Sequence, residues 1–256
     1  NAEVVTCSTF EEAFQLAKDD SKYKIVIPIE NSLAGRVADI HYLIPKYKLQ
    51  IHAEHFQKVN HNLLGIKGSK IADIKTVRSH SQAIGQCRKI ILENNLKAII
   101  SADTAGSAKF VAEKKDISES AIASELAAKI YNLEILKSNV EDELSNVTRF
   151  FVMGKDSKHP EFKNKKYITS CIFKLKSIPA ALYKALGGFA TNGVNLCKLE
   201  SFSVKNTFDQ VNFYIDIEGH IEEPSLQKAL EELGFHTQTL DILGVYEAHQ
   251  FRFKNK

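Results

Sequence analysis

At 256 residues, 44% of them hydrophobic and 25% charged, the chain has the composition of an ordinary globular protein and enough length for one large or two modest domains with real cores. Lys plus Arg number 34 against 31 Asp plus Glu, a formal net charge of +3, which argues against a nucleic-acid-binding face and suits a small anionic ligand. Cys7, Cys87, Cys171 and Cys197 lie far apart without metal-ligand spacing and read as reduced thiols of a cytoplasmic protein, and no apolar run reaches membrane-spanning length.

Glu3 to Cys7 is strand-like, and a helix follows to about Lys18 with a capping-box pattern at Ser8-Thr9-Phe10-Glu11. Ile25-Val26-Ile27 reads as a buried strand and Val37 to Leu43 as a helix. Between them Pro28-Ile29-Glu30-Asn31-Ser32-Leu33-Ala34-Gly35 places polar groups at a strand's carboxyl end, where open α/β sheets bind ligands. Leu49 to Phe56 is a strand, and Asn60 to Ile66 a weaker one. Ile74 to Val77 is a short strand ending at Arg78-Ser79-His80, with a helix from Ser81 to Asn94. Ala98 to Ser101 is the next strand, and Asp103-Thr104-Ala105-Gly106-Ser107 opens a helix to Lys114. A helix over Ala121 to Tyr131, a strand over Leu133 to Lys137 and a strong strand over Val147 to Met153 complete this part. Regular alternation of strand and helix predicts an α/β domain with largely parallel sheets.

The polar, lysine-rich residues 155–166 read as a linker between domains at 1–154 and 167–256. Beyond it come strand Tyr167 to Leu175, helix Ala180 to Thr191, strands Asn195 to Val204 and Gln210 to Glu218, helix Ser225 to Leu233 and strand Thr239 to Tyr246. That order, βαββαβ, is the ferredoxin-like unit.

Four polar clusters fall at strand ends: Glu30-Asn31-Ser32, Ser79-His80 with Gln82 and Gln86, Asp103-Thr104, and Thr148-Arg149. Several such ends in one domain can converge on a cleft. Each also has a structural explanation: Ser79 and Thr104 as helix caps, Gln82 and Gln86 as solvated positions on one helical face, Thr148-Arg149 as an edge strand with a surface ion pair.

The wording of these segments resembles the prephenate dehydratase family. Pro-Ile-Glu-Asn-Ser-Leu-Ala-Gly from Pro28 is similar to its signature. Ser79-His80-Ser81-Gln82-Ala83-Ile84-Gly85-Gln86-Cys87, Asp103-Thr104-Ala105-Gly106-Ser107-Ala108 and Asn146-Val147-Thr148-Arg149-Phe150 resemble further family segments, in family order. The second domain resembles the ACT regulatory domain of these enzymes. The resemblance implies a catalytic domain of two α/β lobes, like periplasmic-type binding folds, with the active site in the cleft between them. It implies Asn31, Ser79, Gln86, Thr148 and Arg149 as catalytic residues, with Glu30, Ser32, His80, Thr104 and Phe150 lining the substrate. Family members carry a further strand and a Gly-rich loop ahead of the segment that begins here, so the chain reads as lacking its extreme amino terminus. In the regulatory domain the family's Gly-Ala-Leu is Ala180-Ala181-Leu182 and its Glu-Ser-Arg-Pro is Glu200-Ser201-Phe202-Ser203, while Asn195-Leu196 is family-like.

What the resemblance implies chemically is the loss of carbon dioxide and hydroxide from prephenate to give phenylpyruvate, with no metal or redox cofactor. Thr148 would help the departing hydroxide, and Arg149 would grip the pyruvyl carboxylate rather than the carboxylate being lost. L-Phenylalanine is the expected effector, and pairing of ACT domains implies a homodimer or homotetramer. Arogenate dehydration and a catalytically impaired phenylalanine sensor are the alternatives.

Overall fold

The computed structural model describes residues 3–143, 145–156, 158–203 and 211–253. The chain runs through α1 (Phe10–Asp19), β1 (Ile25–Asn31), β2 (Gly35–Arg36), α2 (Ala38–Tyr47) and β3 (Gln50–Lys58). It continues with β4 (Asn62–Gly65), β5 (Thr76–His80), α3 (Ser81–Gln86), α4 (Arg88–Glu93), β6 (Lys97–Ser101), α5 (Thr104–Lys114), β7 (Glu119–Ala123), α6 (Glu125–Tyr131) and β8 (Glu134–Lys137). The last part holds β9 (Val147–Gly154), β10 (Tyr167–Leu175), α7 (Ala181–Thr191), β11 (Leu196–Ser203), β12 (Val211–Glu218), α8 (Pro224–His236) and β13 (Thr237–Glu247). The predicted strand ends Val204 and Gln210 lie outside the described residues. Two compact units result: Asn1–Glu30, Arg36–Phe56 and Arg149–Lys256 form one, and Asn31–Gly35 with Gln57–Thr148 the other.

In the first unit, Thr9 caps α1 by accepting the Glu12 N–H at 3.1 Å, and Glu12 accepts the Ser8 N–H at 2.7 Å. The cap is thus Thr9 rather than Ser8, and the Glu12 carboxylate reaches back to the residue before it. Residues 3–7, expected as a strand, are irregular, and Val4 is exposed; a strand needs a ladder partner, and none of the sheets includes this segment. β1 does not read as a buried run either. Ile25, Ile27 and Ile29 face the core while Val26 is exposed, the alternation of a strand with one covered face.

Strands β2, β1, β9 and β3 form one sheet in that order, and β11, β12, β10 and β13 an antiparallel second. One face of the second sheet packs on α7 and α8 through Cys171, Phe173, Ile215, Phe189 and Leu233. Its other face sends Ile168, Ile172, Tyr214 and Tyr246 into the core that also contains Ile27, Ile29, Ile51 and Phe151. With both faces covered, β10 is buried at every position from Tyr167 to Phe173. A bulge at Leu243 lets Gly244 come so close to β3 that an added Cβ would lie 2.2 Å from the Ile51 carbonyl oxygen.

The second unit is built on the sheet β6-β5-β7-β4-β8. β5 runs parallel to β6 and β7, but β4 runs antiparallel to β7 and β8, so the sheet is mixed rather than largely parallel. Ala121 to Ala123, expected to open a helix, belong to β7. It is a fully buried central strand whose Ile122 faces one core and whose Ala121 and Ala123 face another. Central strands lose polar alternation because both faces are covered, and alanine is the best helix former, so local pattern points the wrong way here. The helix expected from Ser81 to Asn94 breaks at Cys87, whose φ of −124° and ψ of 36° are not helical. Among the described residues no helix is long and apolar enough to cross a membrane.

Candidate functional site

Within the second unit, Asn31 at the end of β1, Asn146 before β9, Thr148 on β9 and Gln86 at the end of α3 join in one chain of hydrogen bonds. Asn31 Nδ2 donates to Asn146 Oδ1 at 2.6 Å and to Thr148 Oγ1 at 3.0 Å. Its Oδ1 accepts the backbone N–H groups of Leu33 and Ala34 at 3.0 and 2.9 Å. Asn146 Nδ2 donates to Gln86 Oε1 at 2.7 Å, and His61 Nε2 lies 3.0 Å from the same oxygen. Ser32 closes the turn beside them, donating to the Ser145 carbonyl at 2.7 Å and accepting the Val147 N–H at 2.9 Å.

The chemistry of this array follows from its donors. A threonine hydroxyl has one proton and two lone pairs. Because Asn31 donates to Thr148 Oγ1, the hydroxyl proton of Thr148 is not used in that bond. Gln86 accepts twice through Oε1, so neither bond uses its amino group. Asn31, Gln86 and Thr148 are all partly exposed, as groups that meet a ligand must be.

Asn146 and His61 were missed as site residues from sequence. Asn146 had a signal, since it stands two before Thr148 and positions two apart on an extended chain share a face. His61 had none beyond its place ahead of an apolar strand.

Other expected residues make hydrogen bonds or caps within the fold. Ser79 is fully buried and donates its only proton to the Ile122 carbonyl at 2.6 Å, tying β5 to β7, so it has no donor for a ligand. His80, not Ser79, caps α3, with Nδ1 accepting the Gln82 N–H at 3.3 Å. Thr104 is the first residue of α5, and the cap is Asp103, which accepts from Gly106 N at 2.6 Å. Phe150 is half-buried and follows Thr148 by two along β9, on the same strand face.

Arg149 points to the opposite face from its neighbour Thr148, as strand alternation requires, and lies in the first unit at 2% exposure. Its Nε donates to Glu54 at 2.8 Å, Nη1 to Asp216 at 2.5 Å and Glu30 at 3.0 Å, and Nη2 to the Tyr246 hydroxyl at 3.0 Å. Every guanidinium nitrogen of this residue, expected at the pyruvyl carboxylate, is engaged inside the chain. Arg252 adds a fork to Glu54 at 2.6 and 2.8 Å, and Ser170 and Tyr214 donate to Asp216 Oδ1.

Burial works against the Asp216 carboxylate, but the charge of Arg149 and three hydrogen bonds outweigh it and hold its pKa below the usual value. Burial likewise opposes ionised Glu30, and the charges of Arg149 and Lys198 overcome it. Glu30, expected at the substrate, is thus committed to two cations. The surface ion pair considered for Thr148-Arg149 is a buried charge network.

Of the expected regulatory residues, Glu200 lies 3.4 Å from Arg36 Nε, 3.2 Å from Lys198 and 3.4 Å from buried His41. The Ser201 carbonyl accepts from Arg36 Nη1 at 3.1 Å. Burial is the main reason the His41 pKa is lowered. Ala180 precedes α7 in a left-handed conformation, Ala181 and Leu182 form its first turn, and Leu196 opens β11 just after Asn195, whose carbonyl accepts the Glu218 N–H at 2.9 Å. Among the described residues no group of three or more His, Cys, Asp or Glu side chains is arranged to hold a metal ion.

The fold and this array define an α/β protein that carries a chain of neutral hydrogen-bonding side chains and a βαββαβ module at its carboxyl end. The model of one family, prephenate dehydratase, matches residues 1–158. A bifunctional N-acyl-homoserine lactone acylase/prephenate dehydratase of Komagataeibacter europaeus is 44% identical over 248 residues, 97% of this chain and 88% of that one. The prephenate dehydratase of Methanocaldococcus jannaschii is 38% identical over 242 residues, 94% of this chain and 86% of that one. The solved structure of prephenate dehydratase from Arthrobacter aurescens in complex with L-Phe matches with a TM-score of 0.86 at 28% identity, covering 95% of this chain and 81% of that one. The chain belongs to the prephenate dehydratase family and is a lyase acting on prephenate.

Proposed function

We propose that Thr148 is the catalytic donor of the dehydration. Prephenate loses its ring carboxylate as carbon dioxide, the electron pair of the broken carbon–carbon bond completes the aromatic ring, and the ring hydroxyl leaves as hydroxide. Thr148 donates its hydroxyl proton toward that oxygen, the proton being replaced from solvent, and phenylpyruvate and water result. The observation that carries this is the Asn31 N–H directed at Thr148 Oγ1, which orients the hydroxyl and leaves its proton free to be donated. Gln86 offers its amino group to another substrate oxygen. The aromatisation supplies the drive, so orientation and donor hydrogen bonds are what the chain must contribute.

The βαββαβ module at 167–256 is read as the ACT regulatory domain, with L-phenylalanine as feedback effector and pairing of modules giving a homodimer or homotetramer in the cytoplasm. An L-Phe complex of a similar structure supports the effector. The catalytic domain is read as the two-lobed α/β type spanning 1–154.

The experiment is turnover of prephenate, followed as phenylpyruvate, by this chain and by Thr148→Val, each with and without L-phenylalanine. Loss of general-acid help is expected to lower kcat about 10²–10⁴-fold with KM little changed. Parent-like turnover by Thr148→Val overturns the role of Thr148. Faster turnover of arogenate reassigns the substrate, and L-phenylalanine binding without turnover makes the chain a sensor. The 44% identity to a relative named also as an acylase favours a second activity, hydrolysis of N-acyl-homoserine lactones. Release of homoserine lactone in the same preparation decides it, and no release sinks it.

A further inference from the structure

The direction of each hydrogen bond between Leu33 and His61 can be deduced from one end. Backbone N–H groups only donate, so the side-chain oxygen of Asn31 must face Leu33 N and Ala34 N. Its nitrogen therefore donates, which makes the facing atom of Asn146 its oxygen. Asn146 then presents its nitrogen to Gln86, which makes the contact atom there an oxygen. That oxygen, 3.0 Å from His61 Nε2, requires a proton on Nε2. Two donors are left over at the partly exposed positions, the Thr148 hydroxyl and the Gln86 amino group. Reversing one amide in the chain would turn a donor into an acceptor. Asn146 is 2% and His61 6% exposed, so both are enclosed by protein and lie behind the groups that meet solvent.

We propose that Asn146 and His61 are positioning residues for the dehydration, fixing the polarity of the chain so that Thr148 and Gln86 both present donors to the substrate. The proposal rests on the reading of Thr148 as donor, and its test is built to separate the two. Asn146→Asp keeps the size of the side chain and its acceptor toward Asn31 but sets an oxygen against the Gln86 oxygen. His61→Leu removes the Nε2 donor, whereas His61→Gln places an amide nitrogen near the same point.

Steady-state kcat and KM for prephenate are measured on the full chain for these three variants and Thr148→Val, with melting temperatures alongside. Losing a buried donor is expected to lower kcat for Asn146→Asp and His61→Leu by at least about tenfold. His61→Gln is expected to return to within about threefold of the parent, a rescue that a purely space-filling role does not predict. Because Leu and Gln are compared at one position, general loosening of the fold does not produce the difference. Parent-like kcat in Asn146→Asp or His61→Leu overturns the proposal, and so does a His61→Gln no better than His61→Leu. If Thr148→Val is inactive while those variants work, only the polarity proposal fails. Parent-like turnover by Thr148→Val overturns the reading of Thr148, and this proposal falls with it.

Discussion

Ala180 has φ 58° and ψ 25° at the residue that precedes α7, a left-handed conformation that costs an L-residue about 1–2 kcal/mol. Glycine, with no Cβ, adopts this conformation without that cost. Ala180→Gly is expected to remove that strain, offset by about 0.4–1 kcal/mol from the freer unfolded chain. The net gain is roughly 0.5 kcal/mol, a rise in Tm of about 1–2 °C for a chain of this size. A fall in Tm would show that the conformation is not strained. At the same scale, Asn31, Gln86 and Thr148 were legible as polar residues in their motifs, while the hydrogen bonds that link them through Asn146 were not. Ser79 and Arg149 were equally legible as residues but not as roles, because which face of its strand a residue occupies decides whether it meets a ligand or the core.

Most elements could be read locally, and the exceptions share a cause. β6 was expected over Ala98 to Ser101 and spans Lys97–Ser101, and α7 was expected from Ala180 and begins at Ala181. The two differ from expectation by one residue at one end. β7 failed because its apolar character comes from two cores contributed by distant segments. Gly244 makes the same point through packing. It is not a turn residue; it is the place where β13 meets the β3 backbone. Gly244→Ala must push the two strands apart, and overpacking of this kind costs about 1–3 kcal/mol. Thermal unfolding of the variant checks this, and an unchanged Tm would mean that the two strands separate without penalty.

Across the whole first unit, the network of Arg149 joins β9 of one sheet to β12 and β13 of the other, with Glu54 from β3 and Glu30 from β1. Removing one partner of a buried pair leaves a charge uncompensated, at about 3–5 kcal/mol. Asp216→Asn is expected near the low end, about 3 kcal/mol at neutral pH, because Glu54 and Glu30 still face Arg149. The sign with pH follows from the depressed carboxylate pKa values. Asp216 and Glu30 bind protons more weakly folded than unfolded, so their contribution is present above the ordinary carboxylate range and disappears as the pH falls through the folded values. The stability gap between parent and Asp216→Asn is therefore expected to narrow below about pH 4. Urea unfolding at neutral pH and at about pH 3.5 measures it, and a gap that holds or widens in acid contradicts the ion-pair account.

By itself the sequence determined most of the elements, the βαββαβ run at the carboxyl end and the family, and it singled out Asn31, Gln86 and Thr148 as candidates. These are local properties: periodicity, caps and residue types at fixed spacing survive translation into structure without help. Only the tertiary structure decided that Arg149 is enclosed by carboxylates, that the Ser79 hydroxyl is bonded to β7, and that Asn146 and His61 are buried against Gln86. Those facts depend on which distant strand covers a given face, and a buried charge or hydroxyl takes its role from the partners that desolvation forces it to find.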